Sequence, residues 1–113
     1  MTKDNLVYIK HIRDAIETIR DYTNGMSYDE FIADQKTRDA VVRQLEIIGE
    51  AVSNISADFR KLHDGVPWQD ISAMRNKLIH EYFGVDEDTV WQVIKEDVPE
   101  LNSAIAELLE ENE

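Results

Sequence analysis

The chain has 113 residues, enough for one domain with a single hydrophobic core but too few for two. It contains no cysteine, which excludes disulfides and thiolate metal sites and makes a reducing cytoplasm the simplest expectation. Its formal net charge of −12 argues against broad, non-specific binding of nucleic acid, because phosphate contacts need a basic surface.

Membrane insertion is also unexpected. No apolar run approaches the roughly 20 residues that a spanning helix needs, and the N-terminus lacks a signal-peptide pattern. We therefore expect a cytoplasmic protein with no membrane partner.

The first predicted element is an amphipathic helix over residues 3–23. Its apolar face consists of Tyr8, Ile9, Ile12, Ala15, Ile16, Ile19 and Tyr22. Asn24 and Gly25 are typical of a helix end. Ser27 and Glu30 then form a capping-box pattern, which predicts a short second helix ending near Asp34.

A second long helix is predicted from about Thr37 to Ile55. Its apolar stripe is Ala40, Val41, Leu45, Ile48, Ala51, Val52 and Ile55. Gly49 lies within it, where glycine costs about 1 kcal/mol relative to alanine, so we expect a neighbouring helix to approach closely there. Ser56 is expected to cap a short helix that continues through Leu62.

The fifth predicted helix begins with Pro67 and ends before Gly84, and Asp86 caps the last one. One helical phase then continues through Pro99, which predicts a single kinked helix. The residues in phase are Val90, Ile94, Val98, Leu101, Ile105 and Leu108. Strand patterns are weak throughout. The expected fold is all-α: an antiparallel up-and-down four-helix bundle with short extra helices, in a single domain over residues 1–113.

The fifth helix carries polar groups among apolar ones. Its inward face holds Trp68, Ile71, Arg75, Leu78, Ile79 and Tyr82. As a structural residue, Arg75 would pack its stem and pair its guanidinium with Glu46 or Glu50. His80 falls about 140° from Arg75 on an ideal helix and one turn after Asn76, where those two side chains can interact. Alone, His80 is typical of a helix C-terminus.

Taken together, these residues suit cleavage of a phosphodiester. Histidine titrates near neutral pH and arginine binds phosphate through two donors, while Asn76 and Glu50 are candidate supporting residues. No metal-ligating carboxylate cluster lies near them, so we expect no metal or cofactor. The ribose 2′-OH would be the nucleophile, which favours RNA over DNA. Because one histidine cannot serve as separate base and acid, a two-fold dimer would bring two His80 and two Arg75 into one cleft.

The same residues form a longer pattern. Arg75, His80 and Tyr82 read as R-x4-H-x-Y, within Met-Arg-Asn and Tyr-Phe-Gly-Val-Asp and after Ile-Gly-Glu-Ala. This pattern resembles that of HEPN domains, specifically the small HepT-like toxins that are paired with a minimal nucleotidyltransferase. The resemblance covers nearly the whole chain.

The resemblance implies a dimeric four-helix bundle with its active site at the interface. It implies a metal-independent ribonuclease toxin of a type VII-like toxin–antitoxin system, with Arg75 and His80 catalytic. It further implies an antitoxin nucleotidyltransferase that transfers AMP to Tyr82.

Two other classes of function remain open from the residues. A non-catalytic dimeric module that binds a nucleotide, or holds the nucleotidyltransferase, is favoured by the acidic charge. A purely structural helical dimer would leave Arg75, His80 and Tyr82 unexplained.

Overall fold

The computed structural model describes the backbone of residues 2–80 and 87–112, and the side chains of residues 5–76 and 87–112. Within these ranges the chain forms helices and no strand, which confirms the all-α class. The helices are α1 (Thr2–Thr23), α2 (Tyr28–Ala33), α3 (Gln35–Ser53), α4 (Ala57–Leu62), α5 (Trp68–His80), α6 (Glu87–Gln92), a π-helical segment (Val93–Asp97) and α7 (Val98–Glu111).

The predicted capping box at Ser27 is confirmed. The Glu30 backbone N–H donates to Ser27 Oγ at 3.1 Å, and the Ser27 N–H donates to Glu30 Oε1 at 2.9 Å. Asp34 ends α2 and also caps α3, because its carboxylate accepts from the Thr37 N–H at 3.0 Å. For this reason α3 begins at Gln35, two residues before the predicted start at Thr37.

Hydrogen bonds from side chains fix both ends of α4. Ser56 caps α4 as predicted, with the Phe59 N–H donating to its Oγ at 3.2 Å. Trp68 Nε1 donates to the carbonyls of Arg60 and His63 at 3.1 and 3.0 Å, which holds the start of α5 against the end of α4. Pro67 precedes α5 by one residue instead of starting it, since its carbonyl accepts the first helical hydrogen bond.

The core lies where α1 packs along α3 and α7, while α5 packs along α3. Its most deeply buried members include Ile9, Ile12, Ile16, Ile19, Val41, Leu45, Ile48, Val52 and Ile105. The prediction that Tyr22 lies on the buried face of α1 is wrong. Tyr22 is 47% exposed, whereas its neighbour Thr23 is 5% exposed. At 100° per residue Thr23 falls in the middle of the buried face and Tyr22 at its border, and the Thr23 hydroxyl donates to the Ile19 carbonyl at 2.8 Å.

The last helix runs without a break from Glu87 to Glu111, which confirms a single element through Pro99. The structure adds a π-helical segment that ends two residues before Pro99, at which the Val98 N–H donates to the Val93 carbonyl. Proline lacks an N–H and its ring crowds the preceding turn, and the wider π turn accommodates both effects. The predicted cap Asp86 lies outside the described residues.

A cluster of aromatic and charged side chains holds the start of this helix against α2 and α3. Trp91 packs against Phe31 with ring centroids 5.2 Å apart, and Tyr28 donates a hydrogen bond to Asp88. Arg38 forms an ion pair with Glu87, with Nε and Oε1 3.4 Å apart. These contacts join the first turns of the last helix to α2 and α3.

None of the helices in the described ranges has the length and apolar character needed to cross a membrane.

Candidate active site

Arg75 lies on the face of α5 that packs against α3. Trp68 and Ile71, on the same face, are 7% and 6% exposed, and Arg75 is partly buried. The described part of the predicted apolar stripe is thus confirmed, with a cation in its middle. The side chains of Leu78, Ile79 and Tyr82 lie outside the described residues.

The stem of Arg75 rests directly on the backbone of α3 at Gly49. A β-carbon placed on Gly49 would lie 2.2, 2.6 and 2.9 Å from Cβ, Cγ and Cδ of Arg75. Real β-carbons do not approach other atoms this closely, so any side chain at this position would displace the arginine or the whole of α5. The predicted close approach of a neighbouring helix at Gly49 is confirmed. That helix is α5, and its Arg75 side chain makes the contact.

The guanidinium of Arg75 forms no ion pair or hydrogen bond with any side chain in the described part of the chain. The structural interpretation, in which Glu46 or Glu50 pairs with it, is therefore not observed. Glu46 is partly buried, whereas Glu50 is exposed to solvent. A positively charged fork of N–H donors is thus held by its stem, and no acceptor among the described side chains pairs with it.

Helix α5 also carries the other residues of the motif. Asn76 is exposed and directly follows Arg75. His80 is the last residue of α5, one turn after Asn76, although its side chain lies outside the described part. Tyr82 falls wholly in the undescribed segment. The helix therefore places Arg75, Asn76 and His80 within about one and a half turns, with the orientation of His80 still a prediction.

The other two histidines lie away from this part of α5 in the sequence. His11 is exposed on α1 with its ring 5.9 Å from that of Tyr8. His63 follows α4, and its Nδ1 lies 3.8 Å from a carboxylate oxygen of Glu111. No group of three or more His, Asp or Glu side chains that could hold a metal ion occurs among the described residues.

A comparison with known protein families identifies the family of this helical chain. A family model described as "Ribonuclease HepT-like" matches residues 12–108, which is most of the chain. The chain belongs to the HepT-like ribonuclease family.

Individual relatives are similar over nearly the whole chain. A protein from Thermococcus cleftensis named probable ribonuclease HepT is 44% identical over 108 residues, covering 96% of this chain and 98% of that protein. A protein from Caldanaerobacter subterraneus named as a candidate RNase is 44% identical over 103 residues, covering 91% and 92%.

A third relative is a larger protein from Methanocaldococcus jannaschii, named for both a gamma-glutamylcyclotransferase and a candidate RNase. It is 41% identical over 111 residues, which is 98% of this chain but 50% of that protein. These names support a ribonuclease activity at the level of the family. The comparison with solved structures gives no match.

Proposed function

We propose that this chain is a metal-independent endoribonuclease toxin that acts as a homodimer, with Arg75 and His80 as its catalytic residues. Arg75 carries the proposal. Its stem is fixed on Gly49, and its guanidinium has no partner in the described part of a strongly acidic chain. Membership of a family of ribonucleases supplies the substrate class, RNA.

The role proposed for Arg75 is stabilisation of charge on the phosphate. Negative charge builds up on the non-bridging oxygens as a nucleophile attacks phosphorus, and a guanidinium can donate two parallel hydrogen bonds to them. Packing of the stem reduces the rotamer freedom that the side chain would otherwise lose on binding. A preorganised donor of this kind contributes more to the transition state than a mobile one.

The role proposed for His80 is proton transfer. The ribose 2′-OH attacks the adjacent phosphorus, one imidazole accepts the hydroxyl proton, and the bond from phosphorus to the 5′-oxygen breaks. A second, protonated imidazole donates to that leaving oxygen. The products are a 2′,3′-cyclic phosphate and a 5′-hydroxyl. In the proposed dimer each chain contributes one of the two histidines.

Four long elements support the proposed bundle: α1, α3, α5 and the continuous helix over residues 87–111. We propose that they form the up-and-down four-helix arrangement, and that two copies meet at the part of α5 that bears the motif. The antitoxin proposed for the pair is a minimal nucleotidyltransferase that transfers AMP to Tyr82.

The proposal is tested with purified protein and RNA in the presence of EDTA. We expect the wild type to cut RNA and leave 2′,3′-cyclic phosphate ends. Arg75→Ala and His80→Ala should each reduce the rate by about 100-fold or more, with melting temperatures near that of the wild type. Arg75→Lys is the matched control, because it keeps the charge but loses the two-donor fork, and should fall between the wild type and Arg75→Ala.

Cleavage that requires added magnesium would contradict the proposed use of the 2′-OH. A variant that loses stability but still cuts RNA would show that the altered residue has a structural role only.

A second candidate function is a non-catalytic dimeric module that binds a nucleotide or holds the nucleotidyltransferase. The net charge of −12 favours it, because a surface of this charge repels RNA over most of its area. The same assay separates the two functions, since a non-catalytic module gives no cleavage that depends on Arg75 or His80.

A further inference from the structure

An apolar groove lies between α5 and the π-helical segment, with α3 as its floor. It encloses about 210 Å³. Its apolar lining includes Leu45, Ile48, Ile71, Met74, Val93 and Val98. Helix α5 packs on α3, while the last helix packs on α1, and the groove is the space left between these two pairs.

The π-helical segment forms one wall of this groove. It contributes Val93 and Asp97, and Val98 follows at its end. Single π turns inside α-helices occur frequently at functional sites. Here the turn presents both an apolar and an acidic side chain to the same space.

The rim of the groove is acidic. Asp70 on α5, Asp97 in the π segment and Glu100 on α7 all line it and are exposed to solvent. None of the three forms an ion pair with a described residue, and none of the described residues that line the groove is basic. Carboxylates around an apolar floor suit a ligand that is apolar at its centre and positively charged at its edges.

We propose that this groove docks a short basic helix of a protein partner, which inserts an apolar side chain and places lysine or arginine residues beside Asp70, Asp97 and Glu100. Helices that bind in grooves present apolar residues at spacings of three and four, and the borders of that stripe carry the charges that determine partner choice.

Other occupants fit the groove less well. A second copy related by a two-fold axis through this groove would bring the same acidic rim against it, so like charges would meet. RNA would place its phosphates against three carboxylates. The proposed catalytic residue Arg75 does not itself line the groove, although its chain neighbour Met74 does, and the Arg75 stem packs on Gly49 instead.

The experiment measures binding of a fluorescein-labelled helical peptide by anisotropy. The peptide has about 18 residues, long enough to form helix, with leucines on one face and lysines elsewhere. A second peptide keeps every lysine but replaces the leucines with serines. We expect the leucine peptide to bind the wild-type protein at least about tenfold more tightly than the serine peptide.

Protein variants test where the peptide binds. Asp70→Asn combined with Asp97→Asn should weaken binding of the leucine peptide by about tenfold. The matched control removes two exposed charges from α1 by Glu17→Gln and Asp21→Asn, and should change binding by less than about twofold. Val98→Trp, which fills the groove without changing charge, should also abolish preferential binding of the leucine peptide if the variant folds.

Equal losses from the groove pair and the α1 pair would overturn the proposal, since the peptide would then be responding only to total charge. Equal affinity for the leucine and serine peptides would also overturn it. Sedimentation provides a further test: dissociation of a homodimer by saturating leucine peptide would identify a second copy of the chain as the occupant of the groove.

Discussion

At position 49 the chain has no side chain, and this allows Arg75 to lie flat against α3. The arginine stem occupies the volume that a β-carbon would need. Glycine within a helix is less favourable than alanine by about 1 kcal/mol, so this residue lowers the intrinsic stability of α3. In return, one cation is held in a fixed place on an otherwise apolar face.

Gly49→Ala is therefore expected to destabilise the protein, even though alanine favours helix. Overpacking costs about 1–3 kcal/mol, and the gain in helix propensity offsets about 1 kcal/mol of this, which leaves a net loss of up to about 2 kcal/mol in the free energy of unfolding. Urea unfolding measures this loss, and RNA cleavage should fall as Arg75 moves. Gly65→Ala is the matched control, because a β-carbon at Gly65 meets nothing within 4 Å. A fully stable and active Gly49→Ala would contradict the role described for this glycine.

Tyr82→Phe is expected to keep most of the ribonuclease activity but to escape inhibition by the proposed antitoxin. In the modification, the tyrosine oxygen attacks the α-phosphorus of ATP, pyrophosphate leaves and the hydroxyl proton is lost to solvent. The attached AMP adds bulk and a negative phosphate, which would compete with RNA for Arg75.

Mass spectrometry after incubation with the nucleotidyltransferase and ATP measures this modification. A gain of AMP by the phenylalanine variant, or full activity of the modified wild type, would contradict the prediction.

At the scale of elements, two side-chain caps define where α2 and α3 begin. In the capping box of α2 the N–H of the cap Ser27 donates to the Glu30 carboxylate, and at the start of α3 the Thr37 N–H donates to the carboxylate of the cap Asp34. These hydrogen bonds are the main reason that the pKa of each carboxyl lies below its ordinary value, 4.5 for Glu30 and 3.8 for Asp34. Hydroxyl donors on Ser27 and Thr37 act in the same direction.

A lowered pKa in the folded state predicts how these caps respond to acid. Their contribution to stability is complete above the ordinary pKa values and is lost as pH falls through the lower, folded values. The variant Glu30→Gln with Asp34→Asn keeps both capping patterns but removes the titrating groups. Urea unfolding at about pH 7 and about pH 3 should therefore show a smaller decrease in stability for the variant than for the wild type. Equal decreases would show that these caps do not contribute to acid sensitivity.

For the whole molecule, the central expectation is a homodimer whose composite site draws on both copies. Sedimentation at micromolar concentration should show a dimer. Mixing wild type with excess His80→Ala should also reduce the activity per wild-type chain, because most wild-type chains would then pair with a variant. A stable monomer, or activity that simply follows the amount of wild type, would show that each chain works alone.

Periodicity and capping patterns predicted correctly the features that depend on residues close together in the chain. Helical periodicity identified the long helices, Ser27 and Glu30 located a helix start, and unbroken phase through Pro99 predicted one continuous element. The spacing of the motif residues also indicated the family. These signals are readable because helix geometry and capping involve residues only a few positions apart.

Features that depend on the distance between helices are visible only once the chain is folded. In the folded chain the stem of Arg75 packs against Gly49 on α3. Neither Glu46 nor Glu50, both described residues, forms an ion pair with its guanidinium. The structure also shows the acidic groove between α5 and the π-helical segment, which no local pattern indicates. Each of these depends on how two helices lie against each other within a few ångströms, and sequence periodicity gives the face of a helix but not the partner of each side chain on it.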